Sequence, residues 1–398
     1  MEVNGKDLNF ILDSGVGRTI LFNINYNDSI PLFNTQKIKL QGLGKDDAVE
    51  AILSDENVFK LKNIVGKNQS LFVIFDDSFD LSSKMGLTIH GIIGYDILKD
   101  FVVTVNYSSK ILTFSDPNNY AQKKCKKCEV LPIEFNSLKP YINVGVKLEA
   151  NPSKIIPVKL LVDSGGSDAM WLFENSAIDI VAPSNYFEDF LGEGLSGAVH
   201  GKRSIIEALV IGKFEFEKPT VSFPDSLSVF HARKFEDRNG SLGASVLKRF
   251  EVTFNYPKNE IYLKKGSGFK DKFTYNMSGI ELAYNGKILV KEQEYSSIGF
   301  KDNLNSPDRN TVTLDYRYKY DFKPSYKIHK ITMGSPAYKA GLLKDDIIVK
   351  INGKYTYGMQ LEEIVGYFYE KENKKITVVI ERNNQDYTYS FRLENALK

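Results

Sequence analysis

The chain has 398 residues, 42% of them hydrophobic and 26% charged, a balance that can fill more than one core and predicts two or three domains. Lys and Arg number 52 against 50 Asp and Glu, and this net charge of +2 argues against nucleic acid or an anionic membrane as the main partner. No apolar run approaches the roughly eighteen residues of a membrane-spanning helix, and 26 Phe and 22 Tyr against 13 Pro lean towards strands. In chain order, an apolar run from Asn9 to Leu12 ends in Asp13-Ser14-Gly15, and glycines follow at Gly42 and Gly44. A short helix is expected from Gly94 to Lys99, then a hairpin of Phe101 to Tyr107 with Lys110 to Phe114, broken at Ser108-Ser109. The Lys-rich, apolar-poor stretch 119–134 reads as a linker. Tyr141 to Leu148 is strand-like, and Lys159 to Val162 runs into Asp163-Ser164-Gly165. A helix from Gly243 to Lys248 and a hairpin of Phe250 to Tyr256 with Glu260 to Leu263 come next, and a boundary falls near 264–268.

These elements occur twice. His90-Gly-Ile-Ile-Gly94 through Leu98-Lys99, Phe101 and Asn106-Tyr107 is echoed by Asn239-Gly-Ser-Leu-Gly243 through Leu247-Lys248, Phe250 and Asn255-Tyr256. Asp13 precedes Gly94 by 81 residues and Asp163 precedes Gly243 by 80. One Asp-Ser-Gly carries little information. Two, each followed at the same distance by the same second block, identify a duplicated lobe of about 120 residues. Only twelve residues precede Asp13, whereas a long lead-in precedes Asp163. By symmetry the first lobe is expected to lack an outer strand, as in a shortened chain or one whose signal segment was removed, which points to a periplasmic or secreted location.

Two carboxylates delivered by equivalent turns can meet on a pseudo-twofold axis. Held about 3 Å apart they cannot both ionise, so one proton is shared and the pair offers a base and an acid together. Glycines after each Asp-Ser allow close backbone approach, and each serine hydroxyl can bridge to the opposite strand.

The pattern resembles the pepsin-type aspartic peptidases, specifically bacterial single-chain members with retropepsin-like lobes. In that family an apolar-apolar-Asp-Thr/Ser-Gly turn carries each catalytic Asp above a later apolar-apolar-Gly segment. Asp13-Ser14-Gly15 and Asp163-Ser164-Gly165 match the turn, and Ile92-Ile93-Gly94 and Ser241-Leu242-Gly243 match the later segment, Ser241 departing from it. The resemblance covers residues 1–265 and implies a mainly β fold of two pseudo-twofold-related, acid-protease-like β-barrel lobes, 1–118 and 135–267. It implies catalytic Asp13 and Asp163 supported by Ser14, Gly15, Ser164 and Gly165, acting on a polypeptide substrate without metal or cofactor. It also implies glycine-containing flaps, for which Gly42-Leu43-Gly44 and Gly194-Leu195-Ser196 are the candidates; ordinary hairpin turns are the plainer account of them.

Three other readings follow from the residues. The same fold without activity would be a peptide-binding protein. Val162-Asp163-Ser164-Gly165-Gly166 also resembles the nucleophile segment of trypsin-like serine peptidases, but Ser164 would need a histidine base. Only His90 lies upstream, the Asp13 copy would go unexplained, and His90, His200, His231 and His329 all read as surface or core residues. Cys125 and Cys128 form a Cys-x-x-Cys within a basic run; two cysteines cannot complete a zinc site, and a redox pair stands against an incidental pair in a linker.

Past about Phe273 the repeat is gone. Ser335-Pro336-Ala337, Ala340-Gly341-Leu342, Asp346-Ile347-Ile348 and Ile351-Asn352-Gly353 resemble, in order, the PDZ domain of bacterial peptidases, which implies an α+β domain over 268–398. Pro336 should open a short helix that Gly341 ends, and Leu361, Ile364, Val365 and Phe368 place an apolar stripe on a second helix from Met359 to Glu370. The resemblance implies a groove for a C-terminal peptide ligand formed by Ser278, Gly279, Ile280 and Leu361, or a domain that only packs against the peptidase. A polar insertion, about 294–324, separates the two parts of the domain.

Overall fold

The computed structural model describes residues 1–24, 30–75, 81–122, 125–149, 152–301 and 311–397. Lys123 and Lys124 of the basic run beside the cysteines, and 302–310 of the polar insertion, lie outside the described residues. The chain divides into two compact units, one of Met1–Leu81, Thr88–Tyr275 and Asn395–Lys398, the other of Ser82–Leu87 with Asn276–Glu394.

Within the first unit the duplication is visible strand by strand. In the first copy Phe10–Leu12 pairs in parallel with Gly91–Ile93, which pairs antiparallel with Ile20–Leu21, itself parallel to Ile64–Ile74. In the second copy Ile156–Val162, Arg238–Leu242, Met170–Leu172 and Thr220–Pro224 repeat those pairings in the same sense. Gly94 and Gly243 each precede a one-turn helix, Tyr95–Leu98 and Ala244–Leu247, whose apolar residues Leu98, Val246 and Leu247 are buried. The first copy builds an eight-stranded sheet, the second a ten-stranded one.

A third sheet of five strands belongs to both copies. Val102–Asn106 pairs antiparallel with Phe250–Asn255, in a register that sets Val102 opposite Asn255 and Asn106 opposite Glu251. Thr104 and Thr253, equivalent in the duplication, fall opposite each other with hydroxyl oxygens 2.9 Å apart. The pseudo-twofold axis passes between them. Val103, Val252 and Phe254 alternate onto the buried face and join the main core, each such side chain contributing about 1.5–3 kcal/mol. The mainly β, two-lobed arrangement is therefore the one that the repeat and the resemblance imply for this part of the chain.

Two boundaries differ from expectation. Cys128–Pro132, expected within the linker 119–134, is a strand on the edge of the shared sheet, paired with Glu260–Lys265; its alternating Cys128, Val130 and Pro132 were too few to register as a strand beside so many lysines. Cys125 and Cys128 are joined by a disulfide. The second unit begins at Asn276 rather than 268, because Phe269 and Phe273 pack with Phe216 in the second lobe and the Arg249 guanidinium sits 3.6 Å from the centre of the Phe273 ring.

The second unit is built on a six-stranded sheet. Lys375–Arg382 alternates strictly enough to bury Ile376, Val378 and Ile380, and Leu361, Ile364 and Phe368 cover the sheet as the apolar stripe requires. The helical part is shorter than expected: Leu361–Gly366 is α-helix, and Tyr367–Tyr369 tightens into a 3-10 turn. Pro336–Lys339 opens with Ser335 as its cap, whose hydroxyl accepts from the Tyr338 amide, and Gly341 follows at φ 94°. Asp346 is buried and accepts two hydrogen bonds from Arg382, at 2.6 and 2.7 Å, so this motif residue ties two strands together. The described residues of the polar insertion belong to the paired strands Ile280–Lys301 and Thr311–Ile331.

Candidate active site

Each Asp-Ser-Gly turn follows the end of a strand, Phe10–Leu12 in the first lobe and Ile156–Val162 in the second. The Asp13 amide donates to the Ile93 carbonyl at 3.0 Å, and the Asp163 amide to the Leu242 carbonyl at 2.9 Å, so both carboxyl groups start from the same place in their lobes. The following amides then aim them. Gly15 N–H donates to Asp13 Oδ1 at 2.7 Å, while Gly165 and Gly166 N–H donate to Asp163 Oδ1 at 3.1 and 2.9 Å.

The serines lock the two turns together. Ser14 N–H donates to Ser164 Oγ and Ser164 N–H to Ser14 Oγ, both at 3.0 Å; Ser14 Oγ donates to the Val162 carbonyl at 2.7 Å and Ser164 Oγ to that of Leu12 at 3.2 Å. This is a reciprocal clasp on the same axis that Thr104 and Thr253 mark. The glycines are needed there. A Cβ on Gly15 would sit 3.1 Å from both Asp13 Oδ1 and the Asp163 carboxyl carbon, and one on Gly165 would strike the Asp13 carboxyl. Below the turns, a Cβ on Gly94 would press into the Val16 carbonyl and one on Gly243 into that of Asp168.

The environment favours the protonated form of Asp13. Burial, and next the charge of Asp163, push the Asp13 carboxyl up to about 7, against smaller opposing effects of the Gly15 and Gly165 amides and of Lys139. Tyr256 lies nearby, its hydroxyl held well above the usual range by burial and then by the Asp13 charge.

A cleft of about 690 Å³ opens above the pair. The first lobe lines it with Ile20, Leu40, Phe72 and Ile92 beside Arg18 and Gln41. The second lobe lines it with Asp168, Trp171, Glu193, His231 and Ser241 beside Leu161, Met170 and Leu191. Ser241, the departure from the apolar-apolar-Gly pattern, thus stands where Ile92 stands in the other lobe. Asp168 gathers Arg203 Nη1 at 2.7 Å, Trp171 Nε1 at 2.8 Å and Ser222 Oγ at 2.7 Å. Burial opposes the Arg203 charge, but Asp168 and Asp189 hold it well above the usual range.

The six candidate flap residues meet over the cleft. Ser196 N–H donates to the Leu43 carbonyl at 2.8 Å, and Ser196 Oγ accepts from Gly42 N–H at 3.1 Å and from Gln41 Nε2 at 2.9 Å. Gly44 N–H donates to the Ser228 carbonyl and Lys45 pairs with Asp225 at 3.2 Å. Cβ atoms on Gly44 and Gly194 would collide with the carbonyls of Ser196 and Leu43. The two hairpin tips are therefore interlocked rather than separate turns.

In the second unit Gly279 has φ 78°, the conformation a carboxylate-binding loop needs. Two amides beside it are already used: Ser278 N–H donates to Asn276 Oδ1 and Ile280 N–H to Ser278 Oγ, both at 3.0 Å. Leu361 is buried at the start of its helix, against Gly86 of the segment Ser82–Leu87. Of the histidines, His231 reaches the cleft, and the His90 ring accepts from the Asn9 amide, as Asn239 does from the Lys159 amide in the second copy. Lys139 and Arg238, both lining the cleft, were missed: neither belongs to a motif, and only the fold of the second lobe brings them to the turn. Among the described residues no group of three or more His, Cys, Asp or Glu is placed to hold a metal ion, and no helix is long and apolar enough to cross a membrane.

A PDZ domain family model matches residues 330–382. Over 53 residues the chain is 40% identical to a probable CtpA-like serine protease of Staphylococcus aureus, a match spanning 13% of this chain and 11% of that protein. A protein of the same description from Staphylococcus saprophyticus is 45% identical over 51 residues, 13% of this chain and 10% of the relative. Among solved structures, a retropepsin-like aspartic protease from Rickettsia conorii aligns with 34% of this chain and 98% of its own, at 20% identity and a TM-score of 0.23. An aspartic proteinase from Irpex lacteus aligns with 66% of this chain and 91% of its own, at 14% identity and a TM-score of 0.37. The C-terminal unit contains a PDZ domain.

Proposed function

We propose that the protein is an aspartic endopeptidase in which the carboxyl groups of Asp13 and Asp163 activate water against a peptide carbonyl. The observation that carries this reading is the reciprocal Ser14/Ser164 clasp, which holds the two carboxyls side by side at the floor of one cleft. Proton sharing is supported by Asp13 being pushed up to about 7, by burial first and by Asp163 second. The ionised carboxylate takes a proton from water while the protonated one donates to the carbonyl oxygen, giving a neutral gem-diol. In its collapse the carboxyl that took the water proton gives it to the amide nitrogen as the C–N bond breaks, a gem-diol hydroxyl returns its proton to the other carboxyl, and both recover their starting states. The flap tips exclude bulk water from this step.

Ser164 is poorly suited to be a nucleophile, since its hydroxyl donates to Leu12 and accepts from Ser14. In this reading the PDZ domain binds or presents peptide, and the Cys125–Cys128 disulfide supports an oxidising compartment outside the cytoplasm. The test is hydrolysis of an unfolded protein between about pH 4 and pH 7, with a bell-shaped profile. Turnover that survives in both Asp13→Asn and Asp163→Asn would sink the proposal, and a folded protein inert at every pH would leave peptide binding as its function.

A further inference from the structure

We propose that Leu138 is a specificity-determining residue that packs on an apolar side chain of the bound peptide, beside the Asp13 turn. This rests on the peptidase reading above and names part of its substrate class.

Leu138 stands where the backbone makes leucine a poor choice. The hairpin of Glu134–Asn136 with Lys139–Lys147 closes in a two-residue turn, Asn136 facing Lys139, with Ser137 at φ 49° and Leu138 at φ 63°. Such a turn needs positive φ at both positions, which Asn and Gly adopt readily and a bulky side chain does not, because its Cβ crowds the following carbonyl. Among the described residues three other two-residue turns have this conformation: Asn4-Gly5 between Val3 and Lys6, Asn352-Gly353 between Ile351 and Lys354, and Asn383-Asn384 between Arg382 and Gln385. All three take the favoured residues. Leu138 is the one apolar side chain among the described non-glycine residues of positive φ.

Packing within the fold does not account for it. The tip rests on the first lobe's turn, where a Cβ on Gly17 would come within 3.2 Å of the Ser137 carbonyl and 3.3 Å of Leu138 Cβ. Both contacts end at the backbone and the Cβ, so an asparagine at 138 would make them equally well. The rest of the side chain gains little there, since Leu138 keeps 39% of its surface exposed. Yet it lines the cleft that holds Asp13 and Asp163, together with Val16, Gly17 and Arg18. Strain kept at a cleft wall, on an apolar group left half in water, is offset when a ligand's apolar side chain covers that group.

The test uses the full chain as wild type, Leu138→Asn, Leu138→Gly and Leu138→Met. The probes are tryptophan-free peptides of one length in which leucine replaces serine at each position in turn. Binding is read from the fluorescence of Trp171, the single tryptophan of the chain, which lines the cleft; cleavage is read by mass spectrometry and stability by urea midpoint. Wild type should bind peptides with leucine at one particular position about tenfold more tightly. Leu138→Asn and Leu138→Gly should lose that preference with urea midpoints unchanged or higher, and Leu138→Met should keep it. A preference that persists in both Leu138→Asn and Leu138→Gly, midpoints that fall in both, or a wild type that binds none of the peptides would overturn the assignment. Binding with this preference but no cleavage would defeat the peptidase reading and leave the role of Leu138 standing.

Discussion

The two lobes share a topology and differ in what surrounds it. In the second, one continuous core runs from Ile142 and Leu160 through Phe223 and Leu247 to the shared sheet. In the first, the buried residues split into two small clusters, one around Leu71 and Phe59, the other around Ile74 and Phe22. The cleft walls differ too: Ile92 of the first lobe stands where the second has Ser241. Symmetry survives where the copies touch each other, at the serine clasp and the Thr104/Thr253 pair, because a change in one copy would leave a group of the other unpaired. Elsewhere each copy answers to different neighbours and the residues have parted.

The largest test of that comparison is at the carboxyls. Asp13→Asn and Asp163→Asn should each lower kcat by about 10³-fold or more in a steady-state assay, and a loss in one alone would break the symmetry where it is strongest. Stability separates them further. Asp13 titrates at about 7 in the folded protein against an ordinary 3.8, so its protonated form is the one the fold favours. That contribution is complete below about pH 4 and is lost as the pH rises through about 7. Urea midpoints of wild type should fall over this range, and those of Asp13→Asn should fall less.

Packing comes next. Leu160→Ala, in the continuous core, should cost about 3–5 kcal/mol, and Leu71→Ala, in a small cluster freer to collapse, about 2–3 kcal/mol. Chemical denaturation checks both, and equal losses would erase the distinction between the lobes. Smaller again, Ser14→Ala leaves the buried Val162 carbonyl without its donor and should cost about 1–3 kcal/mol, whereas Ser164→Ala, breaking the longer bond to Leu12, should cost about 0.5–1.5 kcal/mol. The smallest effect concerns the flaps. Gly44 has φ 118° against the Ser196 carbonyl, so Gly44→Ala should weaken the interlock by about 1–2 kcal/mol, seen as roughly tenfold faster hydrogen exchange at the Ser196 amide.

Much of the candidate site was legible beforehand, and the reasons are local. Asp-Ser-Gly must follow an apolar strand and tolerate close backbone contact, so its residue types and its spacing to Gly94 or Gly243 carry the information. Leu43 and Ser196 could be marked only as turn residues, since their hydrogen bond joins segments far apart in the chain. The groove candidates were harder: Gly279 has the expected backbone, yet the amides of Ser278 and Ile280 are taken by Asn276 and by Ser278 itself.

By itself, then, the sequence determined the duplication, the paired Asp13 and Asp163 turns, the one-turn helices after Gly94 and Gly243, and the PDZ segment with its Pro336 start and Gly341 stop. Each follows from residues within a few positions of one another, where backbone conformation and capping decide the outcome. Tertiary structure alone decided that Cys128–Pro132 is a strand, that Phe269 and Phe273 belong to the second lobe, that the two glycine-containing hairpin tips interlock, and that Lys139 and Arg238 line the cleft with the carboxyls. Those outcomes depend on which surfaces meet when separate stretches of chain come together, and burial and charge act on the neighbours a side chain acquires there.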